Sequence, residues 1–222
     1  MNNDICSKIR FYRDQLPPEG ILVAVSKTKP AEMIRVAYDC PHRDFGENKV
    51  QEMKAKHEVL PADIRWHMIG HLQTNKVKYI APFVWLVHSV DREKILREID
   101  KQAAKHGRVI PVLFQLKIAR EETKFGLTEA DYEALLDAYE EGRFPHVRLT
   151  GLMGMASLTD DTEQIRREFR GLRRKYEALQ NRFPGIRYLS MGMTGDYRLA
   201  LDEGANIIRI GSGIFGARDY GH

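Results

Sequence analysis

Short apolar runs alternate along this chain with segments whose apolar positions recur every three or four residues. ILVAVSK (21–27) reads as a strand and AEMIRVAYD (31–39) as a helix. RDFGE (43–47) precedes the helical NKVQEMKAKHEVL, RWHMIG (65–70) precedes TNKVKYIAP, and FVWLVHSV (83–90) precedes REKILREIDKQAAKHG, with Gly107 as a helix stop. IPVLFQLKI (110–118) precedes TEADYEALLDAYEEG, where Thr128 and Asp131 have the spacing of a capping box. VRLTGLMGM (147–155) leads to DTEQIRREFRGLRRKYEALQNRF, IRYLSMG (186–192) to DYRLALDEG, and NIIRIGSGIFG (206–216) comes last. Segment 3–16 reads as an extra N-terminal helix that caps the barrel bottom.

Continuous apolar strands separated by amphipathic helices predict a parallel sheet covered on both faces. Eight such units predict a closed (β/α)8 barrel, in one domain over residues 1–222. An open doubly wound sheet is the alternative, with six strands its commoner number. In a barrel, function gathers where the strands end. Those ends carry Lys27, Gly46-Glu47-Asn48, His67 to Gly70, His88-Ser89, Lys117, Met153 to Ser157, Ser190 to Thr194 and Arg209 to Ser212.

Composition narrows the class. The chain has 222 residues, 43% apolar and 30% charged, as in an ordinary globular protein. Its net charge is +4, but acids are interspersed with bases, without the concentrated basic block of a nucleic-acid binder. A small anion such as phosphate accounts for the bias equally well. The basic helix at 160–182 reads as a solvated outer helix, with nucleic-acid or membrane-surface contact as its alternative. No apolar stretch nears the ~18 residues of a membrane span. The N-terminus has charges throughout, unlike a secretory signal. Cys6 and Cys40 are expected to be reduced thiols in a cytoplasmic protein.

AVSKTKP holds the first candidate chemistry. Val23, Val25 and Lys27 share a strand face, so Lys27 ends an inward row at the rim. Among apolar neighbours its amine would lose solvation and could attack a carbonyl to form a Schiff base. A solvated or salt-bridged strand-end lysine has the same spacing, and spacing leaves both open. RIGSGIFG (209–216) matches GxGxxG, but too little chain follows for a dinucleotide-binding βαβ unit. A Gly-Ser turn there, with Thr194 in MGMTGD, could instead hold a phosphate, or both could be ordinary turns. Arg209 lies in the apolar NIIRIG, as a barrel ion pair or a ligand contact. His67 and His71 are four apart without HExxH, so hydrogen bonding at the mouth is expected of them rather than metal binding.

Taken in order, AVSKTKP, FGENKVQE, WHMIGHLQTNK, GLMGM, LSMGMTGD and IRIGSGIFGARDY resemble the pyridoxal phosphate homeostasis (YggS/PROSC) family over about residues 20–220. That family is related to the N-terminal barrel domain of alanine racemase. The resemblance implies pyridoxal 5'-phosphate held as an aldimine on Lys27, Arg209 facing the pyridine nitrogen, and Asn48 beside the ring. It implies Gly211, Ser212, Ser190 and Thr194 around the phosphate, and Lys124 at a secondary cofactor site. Lys49 stands where FGENY is common, and Thr194-Gly195-Asp196 varies the usual Ser-x-Asp. Both departures touch the pocket edge.

An arginine beside the pyridine nitrogen disfavours its proton and weakens the ring as an electron sink. Alanine racemase takes its second acid/base, a tyrosine, from a further domain, which this sequence is not expected to supply. The resemblance therefore implies a monomeric cytoplasmic carrier and regulator of vitamin B6 balance, with apo-enzymes as recipients of its cofactor and no nucleic-acid or membrane partner. A single-domain racemase-like enzyme and a cofactor-free Schiff-base aldolase are the alternatives.

Overall fold

The computed structural model describes residues 2–120 and 125–216. Its strands are β1 (Ile21–Val25), β2 (Asp44–Glu47), β3 (Arg65–Met68), β4 (Leu86–Val90), β5 (Ile110–Gln115), β6 (Val147–Met153), β7 (Tyr188–Met193) and β8 (Ile207–Ile210). Neighbouring strands pair in parallel and β8 pairs with β1, so the sheet closes into the expected barrel. The helices are α1 (Asn2–Arg13), α2 (Ala31–Asp39), α3 (Val50–Val59), α4 (Val77–Ile80), α5 (Glu93–Lys105), α6 (Glu129–Glu140), α7 (Thr162–Arg182), α8 (Tyr197–Asp202) and α9 (Ser212–Phe215).

Local chemistry sets the boundaries. Gly107 follows the end of α5 with φ +60, a left-handed conformation that costs glycine little. Thr128 caps α6, its hydroxyl accepting from the Asp131 N–H at 3.2 Å and donating to the Asp131 carboxylate at 2.7 Å. Thr128→Ala is expected to cost about 1 kcal/mol, read as a lower urea midpoint with an unchanged slope, and Thr128→Ser should retain most of it. An unchanged midpoint would show that the cap contributes nothing to global stability.

Strand alternation divides the core in two. Val23, Leu86, Leu113, Met153 and Ile207 pack inside the barrel, while Leu22, Ala24, Phe45, Trp66 and Ile208 face the helices. Several strands stop earlier than the apolar runs suggested. β1 ends at Val25 and β8 at Ile210, because the chain there turns into the loops that build the site.

Two expectations are corrected. Helix α1 packs against α2, α9 and β1 on the flank of the barrel, burying Ile5, Ile9 and Tyr12 there, instead of capping the bottom. The physical reason is the apolar face of α1, where Ile5, Ile9 and Tyr12 recur at helical spacing and find buried partners on that flank. Cys6 and Cys40 are joined in a disulfide rather than standing as reduced thiols, with Cα atoms 5.4 Å apart. Docking of α1 on α2 brings together residues 34 apart in sequence, a tertiary proximity that the lone cysteines did not signal.

Candidate cofactor pocket

A cavity of about 300 Å³ opens at the C-terminal ends of the strands. Lys27, Asn48, Thr194, Arg209, Gly211 and Ser212 line it, together with Val25, Lys29, Ile69, Met155, Met193, Gly195 and Gly216. Six of the seven expected site residues are thus brought together from β1, β2, β7 and β8. Lys124 lies outside the described residues.

The loop carrying Lys27 is fastened from both sides. Ser26 is fully buried and donates to Glu47 Oε1 at 2.6 Å. Lys56, on α3, donates to the Ser26 carbonyl at 2.8 Å, to Glu47 at 2.7 Å and to Glu52 at 2.7 Å. Glu52 also accepts the Thr28 N–H at 2.6 Å, across a residue whose φ of 63 is unusual for a β-branched side chain. Burial raises the Glu47 carboxyl to about 6, although Lys56 and Ser26 oppose this. The sequence reading missed Lys56 and Glu52. Their only local signal was the i, i+4 Glu–Lys pairing on α3.

Asn48 follows β2, and its side-chain Oδ1 is buried without a hydrogen-bond partner. Its backbone is pressed by the end of β3, where a Cβ on Gly70 would fall 2.5 Å from the Asn48 carbonyl oxygen. On the far side, Thr194 Oγ1 lies 3.4 Å from both Ser212 Oγ and the Gly213 nitrogen, joining the β7 and β8 loops into one rim.

Arg209 is 3% exposed and donates to Ser190 Oγ at 2.7 Å and to the Gly154 carbonyl at 3.1 Å. Burial lowers its pKa to about 10, with Asp196 acting the other way, so it stays charged at neutral pH. Ser190 differs from its expected place. It is fully buried beneath the pocket and is not part of its lining. Its inward direction on β7 commits the hydroxyl to Arg209 and to His88 Nδ1, 2.9 Å away.

From Ser190 a polar chain runs down the barrel interior. His88 Nε2 and His67 Nδ1 are 2.9 Å apart, and His67 Nε2 lies 3.0 Å from Asp44 Oδ1. Arg65 holds the other Asp44 oxygen. Arginine can only donate and an ionised carboxylate can only accept, and with both imidazoles neutral, each giving one N–H and one acceptor nitrogen, the chain runs in one direction. Arg209 donates to Ser190, Ser190 to His88, His88 to His67, and His67 to Asp44. Burial pushes Asp44 up, but His67 and Arg65 outweigh this and hold it below the usual carboxylate range. His67 therefore sits inside the barrel and not at its mouth, because its strand position points inward. His71 is at the rim, bonded to Asp91 at 2.9 Å. Among the described residues no cluster of three His, Cys, Asp or Glu side chains could hold a metal ion.

The comparisons fit this geometry. Residues 3–219 match the family described as alanine racemase, N-terminal domain. The pyridoxal phosphate homeostasis protein of Aquifex aeolicus is 42% identical over 201 residues, covering 90% of this chain and 87% of that protein. PipY of Synechococcus elongatus PCC7942, solved with pyridoxal phosphate bound, is 36% identical with a TM-score of 0.86, covering 96% of this chain and 100% of that one. Alanine racemase from Bartonella henselae shares the fold at 13% identity, with a TM-score of 0.72 over 97% of this chain and 59% of the racemase. The chain belongs to the alanine racemase N-terminal domain family and, within it, to the pyridoxal phosphate homeostasis proteins.

Proposed function

We propose that this chain binds pyridoxal 5'-phosphate in the pocket at the C-terminal end of its barrel and acts in vitamin B6 homeostasis as a carrier rather than a catalyst. The observation that carries this reading is the convergence of Lys27, Asn48, Thr194, Arg209, Gly211 and Ser212 on one cavity. The residues fit the group. Asn48 presents a buried oxygen that lacks a partner, and the rim supplies hydroxyls and glycine backbone suited to a phosphate. Lys27 would hold the aldehyde, Arg209 would lie by the ring nitrogen, Asn48 would lie beside the ring, and Thr194, Gly211 and Ser212 would take the phosphate. Ser190 would act one step back, by orienting Arg209.

Bound cofactor supplies an aldehyde that condenses with amines and a ring that withdraws electrons. The chain's own residues limit that chemistry. Arg209 carries its charge into the pocket and disfavours a proton on any base placed against it. Of the lining residues among those described, none is a tyrosine, cysteine, histidine or carboxylate, and lysines 27 and 29 are the only amines. A second acid/base of the racemase kind has no evident candidate there, which favours storage and delivery over turnover.

Purified protein is expected to show a visible band, lost on borohydride treatment, with the pyridoxyl group mapped to Lys27. Lys27→Ala should retain no covalent cofactor, and L-alanine racemisation should stay near background. An adduct on Lys29 would overturn the assignment of Lys27, and turnover comparable to a racemase would overturn the carrier reading.

A further inference from the structure

A second cavity, of about 380 Å³, lies at the opposite end of the barrel, where β4 to β7 begin. Arg108, Arg148 and Arg187 line it, and no Asp or Glu does. Its aromatic surface comes from Trp85 and Tyr188, with ring centroids 6.3 Å apart.

These arginines differ from those of the outer helices. On α7, Arg166 pairs with Asp202, Arg170 with Glu203, and Arg182 with Asp137 and Glu140. Arg108, Arg148 and Arg187 form no ion pair among the described residues. Arg108 is moreover fixed in place, donating to the carbonyls of Ala81 and Val84, and burial lowers its pKa. Holding one partly buried guanidinium beside two others without a counter-charge is unfavourable. An anion in the cavity would relieve all three at once. Guanidinium forks match phosphate oxygens in pairs, and Trp85, which carries the Arg65 guanidinium 5.4 Å from its ring centroid, lines the cavity with Tyr188 beside them. The volume falls in the range of small-molecule sites, about 300–1,000 Å³.

We propose that this cavity binds a small phosphomonoester carried on a flat ring, the phosphate on the three arginines and the ring against Trp85 and Tyr188. It is separate from the cofactor pocket, and neither site requires the other.

Calorimetric titration of the full chain with adenosine monophosphate tests it, with inorganic phosphate and adenosine as the two half-ligands. One site is expected on adenosine monophosphate, with each half-ligand at least about tenfold weaker. Arg148 and Arg187 are exposed, and R148E/R187E should lose at least about tenfold in affinity. R148Q/R187Q should show a smaller loss in the same direction. K101E/K105E, which makes the same charge change on α5, should bind like the parent. No heat up to about 10 mM, or binding undiminished in both arginine variants, would overturn the site. Inorganic phosphate binding as tightly as the nucleotide would overturn the ring contact.

Discussion

Lys56→Met is expected to destabilise the folded chain by about 3–5 kcal/mol, the range for breaking a buried ion pair from one side. The Lys56 side chain is 8% exposed and the Glu47 side chain fully buried. The lysine places protons on three oxygens, belonging to Ser26, Glu47 and Glu52. Methionine fills a similar volume and supplies none. Glu47, whose Oε2 already lacks a partner, would keep only the Ser26 hydroxyl. It would escape by taking up a proton, so its pKa should rise above the present value of about 6. The measurement is urea unfolding of apo-protein at pH 7.5, with cofactor removed so that ligand linkage does not contribute. A second variant separates lost packing from the stranded charge. Lys56→Met with Glu47→Gln should recover much of the loss, because the remaining partner is then neutral. A loss below about 1 kcal/mol in the single variant would show that the pair carries little net stability. The same variant should weaken retention of cofactor on Lys27, since Lys56 and Glu52 fasten the residues on either side.

How much of this could be read in the sequence follows from the range over which each signal acts. Strand alternation placed Lys27 on the inward row of Val23 and Val25, and the barrel put that row at the rim. The family resemblance, rather than spacing alone, implied that Arg209, Gly211, Ser212, Thr194 and Asn48 share one pocket, and they reach it from the ends of three further strands, β2, β7 and β8. Ser190 shows the limit. Its number put it near the pocket, but one step of alternation turned its hydroxyl into the interior, where Arg209 and His88 take it. Lys56 was hidden because an amphipathic helix shows its buried face only by apolar residues, and a buried lysine breaks that pattern. The Cys6–Cys40 bridge and the flank position of α1 depend on which helices become neighbours, which neither local propensity nor hydrophobic period encodes.

The polar chain inside the barrel should make stability depend on acid. His88 is fully buried, and its pKa is held well below 6.5 by burial first, then by His67 and Arg209. His42 is pushed down to about 4 by burial, against the pull of Asp44. Below pH 6.5 the unfolded chain protonates both histidines and the folded chain does not. The unfolded state therefore binds more protons, and stability falls as pH falls through this window. Each such histidine contributes up to about 1.4 kcal/mol per pH unit. Glu47 acts in the opposite sense. Its folded pKa of about 6 exceeds the ordinary 4.5, so between those values the folded state holds the extra proton. Its contribution is greatest in acid and is lost as pH rises through 6. The histidines outnumber it, and urea midpoints should drop from pH 6.5 to pH 4.5. His88→Gln should start less stable at pH 7.5, because it breaks the run of donors from Arg209 to Asp44. Its stability should then fall less steeply, the slope differing from the parent by about 1.4 kcal/mol per pH unit below pH 6. Parallel slopes would mean that His88 takes up its proton without unfolding. In that case Ser190 would have to accept from both Arg209 and His88, and the single direction of the chain would not hold.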